Sequence, residues 1–402
     1  MSGPLAKLRV LDLSRVLAGP WATQTLADMG ADVIKIERPK TGDDTRGFAP
    51  FTSAHNGFCR ESIYFMSTNR GKRSITIDLK SPEGKELVCE LADKSDILVE
   101  NYKVGSMARL GLDYPVLSAR NPRLIYCSIT GFGQTGPYSE RAGYDLIVQA
   151  MGGLMSLTGE PDGEPMKSGV AIADILTALY STTAILGALH EREQSALGQH
   201  IDLSLFDVQI ATLANQAASY LMSGRVPPRY GNAHDSIVPY QSFATSDGQI
   251  VVAVANDSQF ARFATILGMP ELGANPDYRT NAGRVLNREN LLLLIIERLR
   301  RRASHEWLAD FEQAQIPAGP INSLDAVFGD PQVAARNLLV EFPRNGDSDS
   351  VRVVGNPIRL SRTSLSHEKP PPRLGEHTEE ILAEILGKTP QGIRTLREKG
   401  VI

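Results

Sequence analysis

The sequence predicts an α/β fold: a large domain on a parallel sheet, followed by a smaller α+β domain. Three observations carry this. Between residues 8 and 130, short β-branched apolar runs alternate with stretches of helical spacing. A chain of 402 residues is too long for one simple core. From about Leu203 the texture changes to long helical stretches, a Pro/Gly/Arg-rich turn and a hairpin pattern.

Taken in order, Leu8–Leu13 (LRVLDL) reads as the first strand, and LAGPWATQTLADMG as a helix ending at Gly30. Ala31–Glu37, Ser74–Lys80, Ser95–Asn101 and Arg123–Thr130 read as the second to fifth strands. Between the third and fourth, Ser81-Pro82-Glu83 opens a helix with serine at the cap and proline at the first helical position. Strands and helices alternating at this spacing form a parallel sheet covered on both faces, a Rossmann-like large domain. Glu37 ends the second strand, where a ribose-binding acid would sit. The first turn, however, reads SRVLAGPWA, without GxGxxG, and Pro20 removes an amide that a pyrophosphate would need. That argues against a nicotinamide-dependent oxidoreductase.

Residues 1–200 are assigned to this large domain and 201–224 to a helical linker. Residues 225–325 form the small domain. There YQSFATSDGQIVVAVAN predicts a hairpin turning at Ser246-Asp247-Gly248, and Ser258–Leu267, Arg288–Arg302 and His305–Ala314 predict helices. Residues 326–402 begin as a polar, proline-punctuated linker through Pro370-Pro371-Pro372 and end in an amphipathic helix, Thr378–Leu386.

Composition narrows the function. A net charge of −4, with one basic run at Arg298–Arg302 read as a solvated helix end, argues against nucleic-acid binding. Cys59, Cys89 and Cys127 have no CxxC spacing, and the seven histidines form no HxxxH or HExxH pattern. A reducing, cytoplasmic setting without metal or disulfide framework is expected. No window of membrane-spanning length stands out, so no membrane association is expected.

The chemistry centres on SGVAIADILTALYS, Ser168–Ser181, with AGYDLIVQAMGG, Ala142–Gly153, as its approach. Asp174 is the one acid in an aliphatic run entered through glycines and prolines, so it falls in or near the first turn of a buried helix. Two readings are compatible: an N-cap that satisfies orphan amides, or a poorly solvated carboxylate acting as nucleophile or base.

Several long motifs then converge. LDLSRVLAGPWATQTLADMGADVIKIE, GDDTRG, NRGKRSITIDLK, LVENYKVGSMARLGL, YCSITGFGQTGP, AGYD and the Asp174 segment resemble the class III CoA-transferases, from about Lys7 to the C-terminal helix. That family includes formyl-CoA transferase, carnitine CoA-transferases and α-methylacyl-CoA racemases. YCSITGFGQTGP, RAGYD, GNAHDSIVPYQSF, AGPIN and PPPRLGEHT are most similar to its succinyl-CoA:glutarate branch. The resemblance implies a large domain completed by the C-terminal segment and two ring-shaped subunits interlocked in a homodimer. It implies Asp174 as nucleophile, passing through an acyl anhydride and an aspartyl-CoA thioester, with Tyr144 and Asp145 in support; Asp145 reads equally as a turn-bonding residue.

For coenzyme A, the acyl-CoA substrate, the resemblance points to Val16, Ala18, Arg38, Lys72, Arg73, Ser74, Ile75, Asn101, Tyr102, Lys103 and Arg109. CoA carries phosphates, so cationic side chains and free amides suit it. Arg46 is a candidate clamp for the far carboxylate of a dicarboxylic acid, unless Asp43 and Asp44 occupy it; His234, Ser236 and Tyr240 are candidate liners of the acyl pocket. Formyl-CoA transferase has glutamine where this chain has Leu17, and a glycine-rich loop not found here, so oxalate is not the expected acceptor. The racemase branch carries histidine where this chain has Tyr144, and tyrosine is a poor base near neutrality. The resulting expectation is transfer of CoA from succinyl-CoA to a small dicarboxylate such as glutarate. An acyl-CoA racemase or epimerase is the alternative, and a non-catalytic CoA-ester-binding relative a more distant one.

Overall fold

A computed structural model describes residues 3–52, 60–343, 350–365 and 367–402; Cys59 lies outside them. The chain divides into two compact units, Met1–Leu154 with Ser168–Ala218 and Gln332–Ile402, and Met155–Lys167 with Ser219–Pro331.

The first unit is built on six parallel strands: β1 (Arg9–Asp12), β2 (Asp32–Glu37), β3 (Lys72–Thr76), β4 (Ile97–Glu100), β5 (Ile125–Thr130) and β6 (His200–Ser204). Their order is β3-β2-β1-β4-β5-β6, that of doubly wound nucleotide-binding sheets. Central strands carry apolar side chains on both faces, as a doubly covered parallel sheet requires. On one face Leu11, Ile34, Leu98 and Tyr126 pack with the helix Pro82–Ala92 and with Ile381, Leu382 and Ile393 from the C-terminal helices. On the other, Val10, Val33, Val99 and Ile129 pack with the helices Ala18–Asp28 and Ile172–Ser195.

Two features differ from the sequence reading. The sixth strand runs through the boundary expected at residue 200, so the residues read as the start of a helical linker finish the sheet. They escape notice because β6 is an edge strand whose His200 and Asp202 alternate with half-buried Ile201 and Leu203. The helix Ile172–Ser195, 24 residues long, is apolar enough to meet a membrane-span criterion where no such window was expected. Its inner face, including Ala173, Ala178, Ile185 and Ala188, packs on the sheet.

The C-terminal segment is fastened to β3 by polar contacts. The Arg73 guanidinium binds Asp32, Glu380 and Glu384, and the Thr76 amide donates to Thr378 Oγ1. A two-stranded antiparallel sheet, β10 (Leu339–Phe342) with β11 (Val351–Val354), completes this unit.

In the second unit, β7 (Tyr240–Ala244) and β8 (Gln249–Ala253) form the expected antiparallel hairpin, extended by β9 (Ala318–Pro320). Phe243, Ile250 and Val252 pack against Phe260, Phe263, Leu291, Ile295, Trp307 and Phe311 from its helices.

Candidate active site

Asp174 lies in the first turn of the helix Ile172–Ser195, but it does not cap it. The capping carboxylate comes from 29 residues earlier: Asp145 Oδ1 accepts the amides of Ala173 at 2.8 Å and Asp174 at 3.4 Å. Asp145 opens the helix Asp145–Met151, so one side chain joins two helix N-termini, whose orphan amides and dipoles favour an anion there. Its other oxygen, Oδ2, accepts from Gln149 Nε2 at 2.6 Å, while Gln149 Oε1 accepts the Ser168 amide at 2.9 Å. Gln149 is fully buried. A chain of hydrogen bonds therefore runs from Ser168, in the segment entering the Asp174 helix, through Gln149 and Asp145, to the amide of Asp174 itself.

Backbone contact fixes this arrangement. A Cβ added to Gly131 would lie 2.5 Å from the Gly143 Cα. The turn after β5 thus lies directly on the segment delivering Tyr144 and Asp145, and glycine in both TGFG and AGYD has a steric cause.

Burial, and secondarily the Asp145 charge, push the Asp174 carboxyl from 3.8 up to about 7. Near neutrality Asp174 is divided between acid and carboxylate, and the carboxylate form is weakly solvated. Tyr64 faces the same ground: burial, followed by the charges of Asp174, Asp145 and Asp43, raises its phenol. Asp174 and Asp145 thus share an electrostatic neighbourhood with Asp43, which lines the cleft described next.

The carboxyl end of β2 opens on a cavity of about 920 Å³ lined by Arg38, Lys40, Arg46, Arg60 and Arg373, with Asp43, Asp44 and Glu61. Beside it, a narrow cleft runs between Arg15, Arg38, Ile77, Leu79 and Tyr102. In open α/β sheets ligands bind in such crevices. Cations at the rim and apolar walls within suit an anionic group attached to a flat ring.

The structure redistributes the expected CoA contacts. Arg38, Asn101 and Tyr102 stand at this crevice or brace it. Asn101 accepts the Arg15 amide and donates to its carbonyl, at 2.8 and 2.7 Å, and the Arg15 guanidinium lies over the Tyr102 ring. Arg38 is half-exposed and paired with Asp44. Val16 holds a left-handed φ of +70°, costly for a β-branched residue, and its amide donates to Asp43. Ala18 is buried as the first residue of its helix. Lys103 and Arg109 are exposed, with Arg109 bonded to Ser106.

Lys72, Arg73, Ser74 and Ile75 have their side chains buried within the sheet, so a contact from these positions would be left to the backbone. Lys72 Nζ bonds Asp12, Asn69 and the Pro20 carbonyl. Arg73 is spent on the acids named above, and Ser74 Oγ donates to Glu37 at 2.7 Å. Ile77 and Leu79, beyond the strand's carboxyl end, line the cleft instead. The signal was available: in a parallel sheet, ligand-facing residues follow the strand rather than form it.

Arg46, the candidate clamp, is engaged within the fold. Its Nε and Nη2 form a fork on both Glu37 oxygens at 2.6 and 2.7 Å, and its guanidinium lies on the Phe65 ring. Its bidentate edge is thus taken by a buried carboxylate, although the side chain also borders the cavity. With Lys35–Asp43 at 2.9 Å and Lys72–Asp12 at 3.0 Å, this pair forms a buried ionic lattice under the first turn.

His234, Ser236 and Tyr240 come together in the second unit. His234 Nδ1 accepts the Ser236 amide at 3.1 Å, and its ring lies 5.2 Å from that of Tyr240. Tyr144 is 69% exposed. Among the described residues no group of His, Cys, Asp and Glu is arranged to hold a metal.

Comparison with known proteins accords with this geometry. Residues 5–378 match CoA-transferase family III. The chain is 51% identical to a succinate–glutarate CoA-transferase of Agrobacterium fabrum, over 95% of this chain and 96% of that one. It is 44% identical to human succinyl-CoA:glutarate CoA-transferase, over 99% and 90%. Among solved structures, a CAIB/BAIF family protein from Brucella suis superposes with a TM-score of 0.85 at 49% identity, covering 96% of this chain and 100% of that one.

Proposed function

The chain belongs to CoA-transferase family III, and from that membership we propose that it transfers CoA from succinyl-CoA to glutarate through Asp174. The observation that carries the reading is the Asp174 carboxylate, half-buried, raised to about 7 and held at a helix N-terminus by Asp145. A carboxylate is a poor nucleophile toward a thioester in water, and desolvation offsets part of that deficit.

The bonds balance without redox chemistry. An Asp174 oxygen attacks the succinyl thioester carbon, the C–S bond breaks, and CoA leaves as thiolate from a mixed anhydride. The thiolate then attacks the Asp174 carbonyl carbon, releasing succinate and leaving an aspartyl-CoA thioester. A glutarate oxygen repeats the first attack on that thioester, and the returning thiolate takes the glutaryl group, freeing Asp174. The cationic cavity of about 920 Å³ has the room for the nucleotide end of CoA and its phosphates, with the narrow cleft of Arg38, Ile77, Leu79 and Tyr102, about 10 Å³, adjoining it as a wall. No metal takes part in this scheme. The racemase alternative is disfavoured, since it needs a second base and Tyr144 is an exposed phenol.

We further infer that the Rossmann-like large unit belongs to a homodimer, interlocked as the family resemblance implies. Leu146, Ile147 and Met151, with Leu179 and Tyr180 on the Asp174 helix, are exposed, and clustered apolar surface of this kind favours a protein partner. Light scattering that returned a monomeric mass would end this inference.

The activity test offers succinyl-CoA with a panel of mono- and dicarboxylates, following acyl-CoA products by mass spectrometry for wild type and Asp174→Ala. Glutaryl-CoA formed by the wild type and absent with the variant is expected. No exchange with any acid, together with deuterium entering the α-carbon of a branched acyl-CoA, would overturn the reading in favour of a racemase.

A further inference from the structure

Next to the nucleotide cleft lies a second cavity, of about 340 Å³, reaching from the carboxyl end of β4 across Tyr126 and Ser128 of β5 to His200, the first residue of β6. Tyr102 lines both spaces. The back wall of the second is a polar relay that the transfer scheme leaves unused. Glu100, last residue of β4, is 3% exposed, and Ser128 of the adjacent β5 is 2% exposed. Glu100 Oε2 accepts the Tyr102 amide at 2.8 Å. The Ser128 hydroxyl bonds the same carboxyl and meets His200 Nε2 at 3.0 Å. The His200 ring is stacked on Tyr114 at 5.3 Å.

We propose that Glu100 is a positioning residue for the nucleotide end of CoA. Its carboxyl, backed by Ser128 and His200, holds the Tyr102 amide and so sets the Asn101–Lys103 turn that walls the cleft. This rests on the reading that the cleft takes CoA. The turn in turn orders the first loop, because Asn101 grips both backbone groups of Arg15 and Tyr102 carries the Arg15 guanidinium on its ring. Val16, strained at φ +70°, follows directly. A single carboxyl therefore braces two of the loops facing the ligand.

The relay has two proton states. Ionised Glu100 accepts from both Tyr102 and Ser128, leaving Ser128 to accept from His200 Nε2–H. Protonated Glu100 donates to Ser128, which donates to His200 Nε2, and the Tyr102 amide loses its charged acceptor. Burial raises Glu100 to about 7, with Asp202 adding to the rise, so the states exchange near neutrality. The other titratable or charged groups facing it are His200 from β6, Tyr126 and Cys127 from β5, Asp113 before the helix Tyr114–Arg120, and Tyr102 and Lys103 from its own turn. Tightening is expected as Glu100 ionises, that is, as pH rises through about 7.

The test is calorimetric titration of full-length wild type and Glu100→Gln with CoA between pH 6 and 8.5, with steady-state kinetics on succinyl-CoA. The affinities are expected to agree within twofold at pH 6. At pH 8.5 the wild type is expected to bind about fivefold tighter, the difference between a charged and a neutral acceptor. The variant's KM for succinyl-CoA should rise while kcat stays within about twofold. Ser128→Ala, which removes the backing hydroxyl and keeps the carboxyl, should shrink the pH difference and serves if Glu100→Gln folds poorly. A wild-type to variant affinity ratio constant with pH, or a fall in kcat with KM unchanged, would overturn the positioning role while leaving CoA binding intact. Wild type that fails to bind CoA at any pH would remove the cleft reading and this inference together.

Discussion

Replacing Asp145 by asparagine separates the two causes that raise Asp174. The asparagine side chain would keep an oxygen for the Ala173 and Asp174 amides, so the helix stays capped while the neighbouring charge disappears. The rise from 3.8 to about 7 has burial as its larger cause and Asp145 as its second. The Asp145 share is therefore at most half of about three pH units, or ~1.5. Asp174 must be ionised to attack, so wild-type kcat/KM should climb as pH rises through about 7. In Asp145→Asn the midpoint should move acidic by about 1 to 1.5 pH units and still lie above an ordinary carboxylate. The high-pH plateau should fall about tenfold: the new amide meets Gln149 Nε2 donor to donor, Gln149 turns, and the Ser168 amide loses its acceptor. The assay is the pH profile of glutaryl-CoA formation from 5.5 to 9. A midpoint that stays put or moves alkaline, or a wild-type profile flat across neutrality, would refute the electrostatic argument.

Three further outcomes follow from the same contacts. Because the folded pKa of Asp174 is raised, its stabilising contribution is full below about 3.8 and lost as pH rises through about 7. Asp174→Asn should therefore gain ~1–3 kcal/mol over wild type at pH 8.5 relative to pH 5, read as the difference in urea midpoints. Arg46→Ala strips the fork from buried Glu37 and should cost about 3–5 kcal/mol of stability, with glutarate and monocarboxylate use falling together; selective loss of dicarboxylate use would restore the clamp. Gly131→Ala drives a methyl into the Gly143 backbone and should cost about 1–3 kcal/mol, with kcat falling more than stability alone explains because Asp145 shifts; unchanged kcat would refute that coupling.

The sequence made some of this legible and hid the rest for identifiable reasons. Strands β1, β2, β4 and β5 are short apolar runs bounded by turns, and each emerges within one or two residues of its expected position. The third is displaced toward the N-terminus because Lys72 and Arg73 look like surface charges; their partners Asp12 and Asp32 are some 40 to 60 positions away. Asp174 was visible as one acid in an apolar helix. Its support was not: Asp145 reads as an ordinary helix-opening residue until folding brings it to another helix's first turn. Arg46 shows the converse, since nothing local announces that Glu37, nine residues earlier, takes its bidentate edge.

The ionic lattice under the first turn bears on how the family signature is interpreted. Asp12, Lys35, Glu37, Asp43, Arg46 and Lys72 answer one another across β1, β2, β3 and the GDDTRG loop. A drifting lineage can exchange such residues only in compensating pairs, because one change alone strands a charge in the interior. The letters that make this N-terminal half recognisable would thus be kept by a descendant that had lost every affinity for CoA. A diagnostic for working transferases belongs instead on Asp174, whose buried charge is a cost to the fold and so has no structural reason to persist once the chemistry is gone.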